Sequence, residues 1–205
     1  MQSRRPILLF VILVLVVPLV AWLAVSFFEK RVGELPVLGK EDHRIEDFEL
    51  LNQDGLLKGT AGWNGKIVVA DFFFTHCPTI CPKMTMSLKK VRSAFESDTT
   101  VLINSISIDP ERDSSSRLKE YAGDFGINTK NWELLTGDKK EIYRMARNSF
   151  MVVATDGDGG PDDFIHSESL VLIDPRKRIR GYYDGTSETE VNQLIRDIKK
   201  LKNEK

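Results

Sequence analysis

The sequence predicts an α/β domain built on a mixed sheet covered by helices on both faces, preceded by one N-terminal transmembrane helix. Three observations carry this reading. Short apolar runs suited to buried strands alternate with segments of helical periodicity; a hairpin and an amphipathic helix close the chain; and the first 30 residues contain a long stretch without charge.

From Ile7 to Phe28, 22 consecutive residues carry no charge. A helix of that length measures about 33 Å, enough for a hydrocarbon core of roughly 30 Å. Cleavable leaders usually have apolar regions of only about 7–15 residues, and Ala24-Val25-Ser26 is a poor cleavage site, so residues 1–28 read as a retained anchor. Arg4 and Arg5 keep the short end cytoplasmic. The domain is then exoplasmic: in a bacterium, a single-pass inner-membrane protein facing the periplasm. Residues 29–45, with Gly33, Pro36 and Gly39, read as a linker. Residues 46–205 suffice for one core and are too few for two.

Within the domain, Phe48 to Leu57 reads as a hairpin turning on Asp54-Gly55. Ile67 to Phe74 is a nearly unbroken apolar run, suited to a strand buried on both faces. Met84, Leu88, Val91 and Phe95 then recur at helical spacing. Val101 to Ile108 is a second buried strand, Ser114 to Gly123 a helix, Trp132 to Leu135 a short strand and Asp138 to Asn148 a helix. Ser169 to Ile173 and Arg178 to Tyr183 form a hairpin around Asp174-Pro175. Val191, Leu194, Ile195, Ile198 and Leu201 give the last helix its apolar face.

With 29 Lys+Arg against 30 Asp+Glu, the chain lacks the basic excess of a nucleic-acid binder. Its chemistry is sought in its two cysteines, Cys77 and Cys81, in Cys77-Pro78-Thr79-Ile80-Cys81-Pro82. They stand where a strand gives way to a helix, and unpaired N–H groups there favour a thiolate. A disulfide closing so short a loop contributes only about 2 kcal/mol, a poor staple. Exchange dithiols are more often spaced Cys-x-x-Cys, and the wider pair suits two sulfurs converging on one ion. Of the three histidines, His43 reads as solvated in the linker and His76 as a bystander or tuner of Cys77. His166 precedes a late strand that the topology brings toward the cysteines. Two thiolates and one imidazole make a soft three-coordinate site that suits Cu(I) better than structural zinc. Asp109 and Asp113 read as capping and turn residues, with tuning of the metal site as the rival reading. Met84 reads as core. Asp156-Gly157-Asp158-Gly159-Gly160 fails the calcium-loop pattern and reads as a Gly/Asp loop.

Phe72-Phe73-Phe74-Thr75-His76-Cys77-Pro78-Thr79-Ile80-Cys81-Pro82, then Ser107-Ile108-Asp109-Pro110-Glu111-Arg112-Asp113, then His166-Ser167 before Leu172-Ile173-Asp174, resembles the Sco/SenC family over about Asp47 to Leu201. The resemblance implies a thioredoxin-like fold and copper, as Cu(I) or Cu(II), bound by Cys77, Cys81 and His166. It also implies delivery of copper to, or reduction of, the copper-site subunit of cytochrome c oxidase. The chain departs from the family pattern at Thr79 and Ile165, where the family carries acidic residues; Glu168, Asp162 and Asp163 are candidate replacements. In this reading the protein is a metallochaperone rather than a turnover enzyme. The rival is a thiol–disulfide oxidoreductase in which Cys77 attacks, Cys81 resolves, and the two form a disulfide when oxidised. A peroxidase is disfavoured because no Thr-x-x-Cys arrangement is present.

Overall fold

The computed structural model describes residues 12–23, 34–152 and 167–204. The chain divides into an N-terminal unit and a domain running from Leu35 to Asn203. In the first unit, Ile12–Val16 forms a π-helical turn that continues as α-helix over residues 17–23, with Leu13, Leu15 and Trp22 exposed. Among the described residues no helix is long and apolar enough to cross a membrane. The anchor expected over residues 1–28 extends on both sides into residues outside those described.

The domain contains β1 (Glu49–Asn52), β2 (Leu57–Gly59), β3 (Ile67–Phe73), α1 (Ile80–Ala94), β4 (Val101–Ser107), α2 (Ser115–Asp124), β5 (Trp132–Thr136), α3 (Lys139–Arg144), β6 (Ser169–Ile173), β7 (Ile179–Asp184) and α4 (Glu188–Asn203). The strands form one sheet in the order β2-β1-β5-β4-β3-β6-β7. The central β5, β4 and β3 are parallel and the outer pairings antiparallel, as expected for a thioredoxin-like mixed sheet. β3 pairs β4 from Ile67↔Val101 to Phe73↔Ser107, so the turns leaving these two strands emerge side by side.

Every residue of β3 is buried because its alternating side chains feed two cores. Ile67, Val69 and Phe73 meet Met84, Leu88 and Val91 of α1, Leu118 and Tyr121 of α2, and Val191, Leu194 and Ile198 of α4. Val68, Ala70 and Phe72 meet Ile142 and Tyr143 of α3, with Phe150, Phe48 and Trp63. The helix expected over Asp138 to Asn148 is split. Asp138 caps α3 by accepting from the Glu141 N–H at 2.9 Å, and the chain then widens into a π-helical turn over Met145–Ser149.

Residues 35–45, expected to be linker, belong to the domain. Buried Arg180 donates to the carbonyls of Leu35 and Pro36, Leu38 bridges to Ile179, and the Ile45 N–H donates to the Lys177 carbonyl. His43, expected to be solvated, is half-buried, with Nε2 2.8 Å from the Ser149 carbonyl.

Candidate functional site

Cys77 follows β3 in a tight turn closed by its own N–H on the Phe74 carbonyl at 3.3 Å. Thr79, at the N-cap of α1, contributes no side-chain bond. The sulfur takes that role: the Cys81 N–H donates to Cys77 Sγ at 3.4 Å, satisfying one of the unpaired donors of the first helical turn. Both cysteines are free thiols, Cys77 half-buried and Cys81 only 5% exposed. Burial pushes the Cys77 thiol up. The backbone N–H groups of Cys81, Thr79 and Ile80, with the Cys81 thiol, outweigh it and leave Cys77 below its ordinary 9.0. For Cys81 burial dominates, with Cys77 adding to it, and its thiol is pushed up to about 12. The pair is therefore asymmetric, with an accessible, acidic sulfur in front of a buried, reluctant one.

Behind the turn lies Asp113, fully buried. Its Oδ2 accepts from the Thr75 N–H (3.0 Å) and from Ser107 Oγ (2.6 Å), and its Oδ1 accepts from Thr75 Oγ (2.6 Å). Asp113, read as a capping or turn residue, does not cap α2; Ser114 does, accepting from the Arg117 N–H, as the serines at the start of that helix suggest. Asp113 ties the turn after β4 to the turn after β3. Asp109 is also buried; its N–H donates to Ser107 Oγ at 3.1 Å, and its Oδ2 lies 2.8 Å from Arg112 Nε. His76 is turned back toward Thr75 and Asp113.

A pocket of about 300 Å³ opens beside the thiols, lined by Phe74, Cys77, Ile80, Cys81, Ile108 and Glu168 among others. Ser167, directly after His166, is also on its wall. His166 itself lies outside the described residues. Among those described, no cluster of three or more His, Cys, Asp or Glu is arranged to hold a metal ion. Met84 is fully buried in the core, as its helical spacing predicts. The two thiols, one of them acidified, suit a soft cation or thiol–disulfide exchange.

Sequence reasoning overlooked Asp71, in the middle of β3 and 2% exposed. Ser105 Oγ donates to it at 2.5 Å and in turn accepts from Trp132 Nε1 at 3.0 Å. The signal was there to read, since an acid interrupts an otherwise apolar strand.

Comparisons with known proteins bear on this site. The SCO1/SenC family model matches residues 38–203. The SCO1 protein homolog of Bacillus subtilis is 33% identical over 160 residues, covering 77% of this chain and 82% of the relative. The chain spans 55–66% of the length of the mitochondrial SCO2 homologs it matches in cattle, zebrafish, mouse and human. The structure of BsSco, described as having a disulfide switch and as a member of the Sco family of cytochrome c oxidase assembly proteins, is 32% identical. It aligns with a TM-score of 0.69 over 82% of this chain and 99% of that one. Bradyrhizobium japonicum ScoI, solved with copper bound, is 27% identical, with a TM-score of 0.62 over 77% of this chain and 99% of that one. With its cysteine pair at the β3–α1 turn and a family match covering most of its length, this chain belongs to the SCO1/SenC family.

Proposed function

We propose that this protein is a membrane-anchored copper metallochaperone that holds one ion through Cys77, Cys81 and His166. It delivers the ion to the copper-site subunit of cytochrome c oxidase. The observation that carries the reading is the reduced, asymmetric thiol pair at the start of α1, opening on a pocket whose wall includes Ser167 and Glu168. Two thiolates select Cu(I), and the same donors accept Cu(II). The copper-bound ScoI relative supports the cargo, and the assembly role of BsSco supports the acceptor. The uncharged run from Ile7 to Phe28 supports an anchor that keeps the domain on the periplasmic face of a bacterial inner membrane. Tethering raises the effective concentration near a membrane-bound acceptor.

The test is metal stoichiometry of the reduced, detergent-solubilised chain with Cu(I) and Zn(II) in competition. One copper per chain is expected, lost in Cys77→Ser and strongly weakened in His166→Ala. A second reading, a thiol–disulfide oxidoreductase acting on the acceptor's cysteines, is favoured by the low Cys77 and high Cys81 ionisation. It predicts rapid dithiol exchange that His166→Ala leaves intact, and no stable copper.

A further inference from the structure

The thiols share a wall with an apolar cavity that the holding of an ion does not use. Phe72 and Phe74 reach it from the end of β3 and the turn beyond, Ile80 from the first position of α1, and Ile108 from the residue after β4. Ile108 is tied to β3 by its N–H on the Phe73 carbonyl at 2.9 Å. Phe72, Ile108 and Cys81 are buried, whereas Phe74, Ile80 and Cys77 are half-buried, so an apolar recess opens past the more accessible sulfur. At about 300 Å³ it is twice the size of a cavity of roughly 150 Å³ that holds benzene. One large side chain fits it; a helix, about 10–12 Å across, does not. Glu168 stands on the same wall, just ahead of β6, and is exposed. Its carbonyl accepts from the Gly185 N–H at 2.7 Å, and among the described residues its carboxylate has no hydrogen-bond or ion-pair partner. An apolar recess with a single placed charge is the usual make-up of a recognition pocket.

What fills it follows from what must reach Cys77. Copper changes hands only when the acceptor's ligand meets the ion that Cys77 holds, and disulfide exchange needs direct attack of one sulfur on another. Consecutive Cα atoms are about 3.8 Å apart, so the neighbours of an incoming cysteine stand over a cavity that has Cys77 in its wall. Resting on the reading that this site trades with a partner's cysteine, we propose that the cavity seats a large apolar or aromatic side chain next to that cysteine, while a lysine or arginine of the partner meets Glu168. The seated side chain aims the partner's sulfur at Cys77 and supplies the affinity. The ion pair lies in water and contributes choice of partner more than strength.

The probes are short peptides whose one cysteine is capped as a disulfide with thionitrobenzoate. The next residue is phenylalanine or alanine, and the one after it lysine or glutamine. The full chain, reduced and carrying Cys81→Ser so that the product persists, is held in phospholipid nanodiscs. The Cys77 thiolate attacks the peptide sulfur, and the new S–S bond displaces thionitrobenzoate with its electron pair; the released colour gives the rate. Below saturation the phenylalanine peptide should react at least about tenfold faster than the alanine peptide, the low end for burying such a ring. Ile80→Gln should erase that ratio. Lysine should outrun glutamine by about two- to fivefold, the size of an exposed ion pair, and Glu168→Gln should remove the advantage. Equal rates for the phenylalanine and alanine peptides overturn the proposal, whether a second copy or this chain itself fills the cavity. If Ile80→Gln fails to fold, the peptide ratio on the Cys81→Ser chain decides alone. A chain that shows the ratio while its unmodified form takes up no copper sinks the copper reading and leaves the pocket standing. A chain that loads copper and ignores the phenylalanine sinks the pocket alone.

Discussion

Asp71→Asn isolates one buried carboxyl. Burial raises the Asp71 carboxyl from 3.8 to about 7, against the pull of the Ser105 hydrogen bond. The folded chain therefore holds this proton more tightly than the unfolded chain, and between those two values it binds more protons. Stability consequently falls as pH rises from about 4 to 7 and levels off above. At 1.36 kcal/mol per pH unit the full loss is roughly 4 kcal/mol, of which roughly 2–3 kcal/mol falls between pH 5 and 8. Asparagine has nearly the same shape, still accepts from Ser105 through Oδ1, and does not ionise. Urea unfolding of both chains, reduced and metal-free, should therefore show the variant gaining roughly 2–3 kcal/mol on the unmodified chain between pH 5 and 8. Parallel pH profiles would refute the assignment of a raised Asp71 ionisation and the burial argument behind it.

Two further outcomes follow from the same physics. With Cys77 below 9.0 and Cys81 at about 12, iodoacetamide at pH 8 should modify Cys77 first, by well over tenfold in rate, as read by peptide mass spectrometry; equal rates would contradict the asymmetry of the pair. Arg180→Met removes the cation from Asp174 and from the Leu35 and Pro36 carbonyls. Asp174 keeps Arg178, with Nε 2.8 Å away, so the cost should fall near about 3 kcal/mol, the low end for breaking a buried pair. Residues 35–45 should also become open to limited proteolysis.

What could be read from the sequence was what local periodicity encodes. The two-faced burial of β3 and the stripe of Met84, Leu88 and Val91 depend on neighbours within one element, and their strand and helix are where the pattern puts them. The cysteine turn was legible for the same reason, since strand, turn and helix follow directly in the chain. Contacts between distant segments were not. Residues 35–45 look like linker because the groups that hold them, Arg180 and Ser149, lie more than 100 residues away. Asp113 looks like a cap because its partner Thr75 is 38 residues back, across the β3–β4 register. The widening of the helix after Arg144 leaves no mark in the apolar spacing, because a π-helical turn keeps much the same side buried.

The Arg180 clamp also gives the domain a heel and a toe. β6 is antiparallel to both β3 and β7, so β7 runs in the direction of β3, and Ile179, through Ile173, sits level with Val68. The clamp is thus at the start of β3, while the thiols lie beyond Phe73, at least about 17 Å further along at 3.3 Å per residue. Leu35 is held at the heel and the sulfurs occupy the toe. The contacts that fix the start of the domain and the chemistry of its thiols thus sit at opposite ends of one strand, where each can be altered without touching the other.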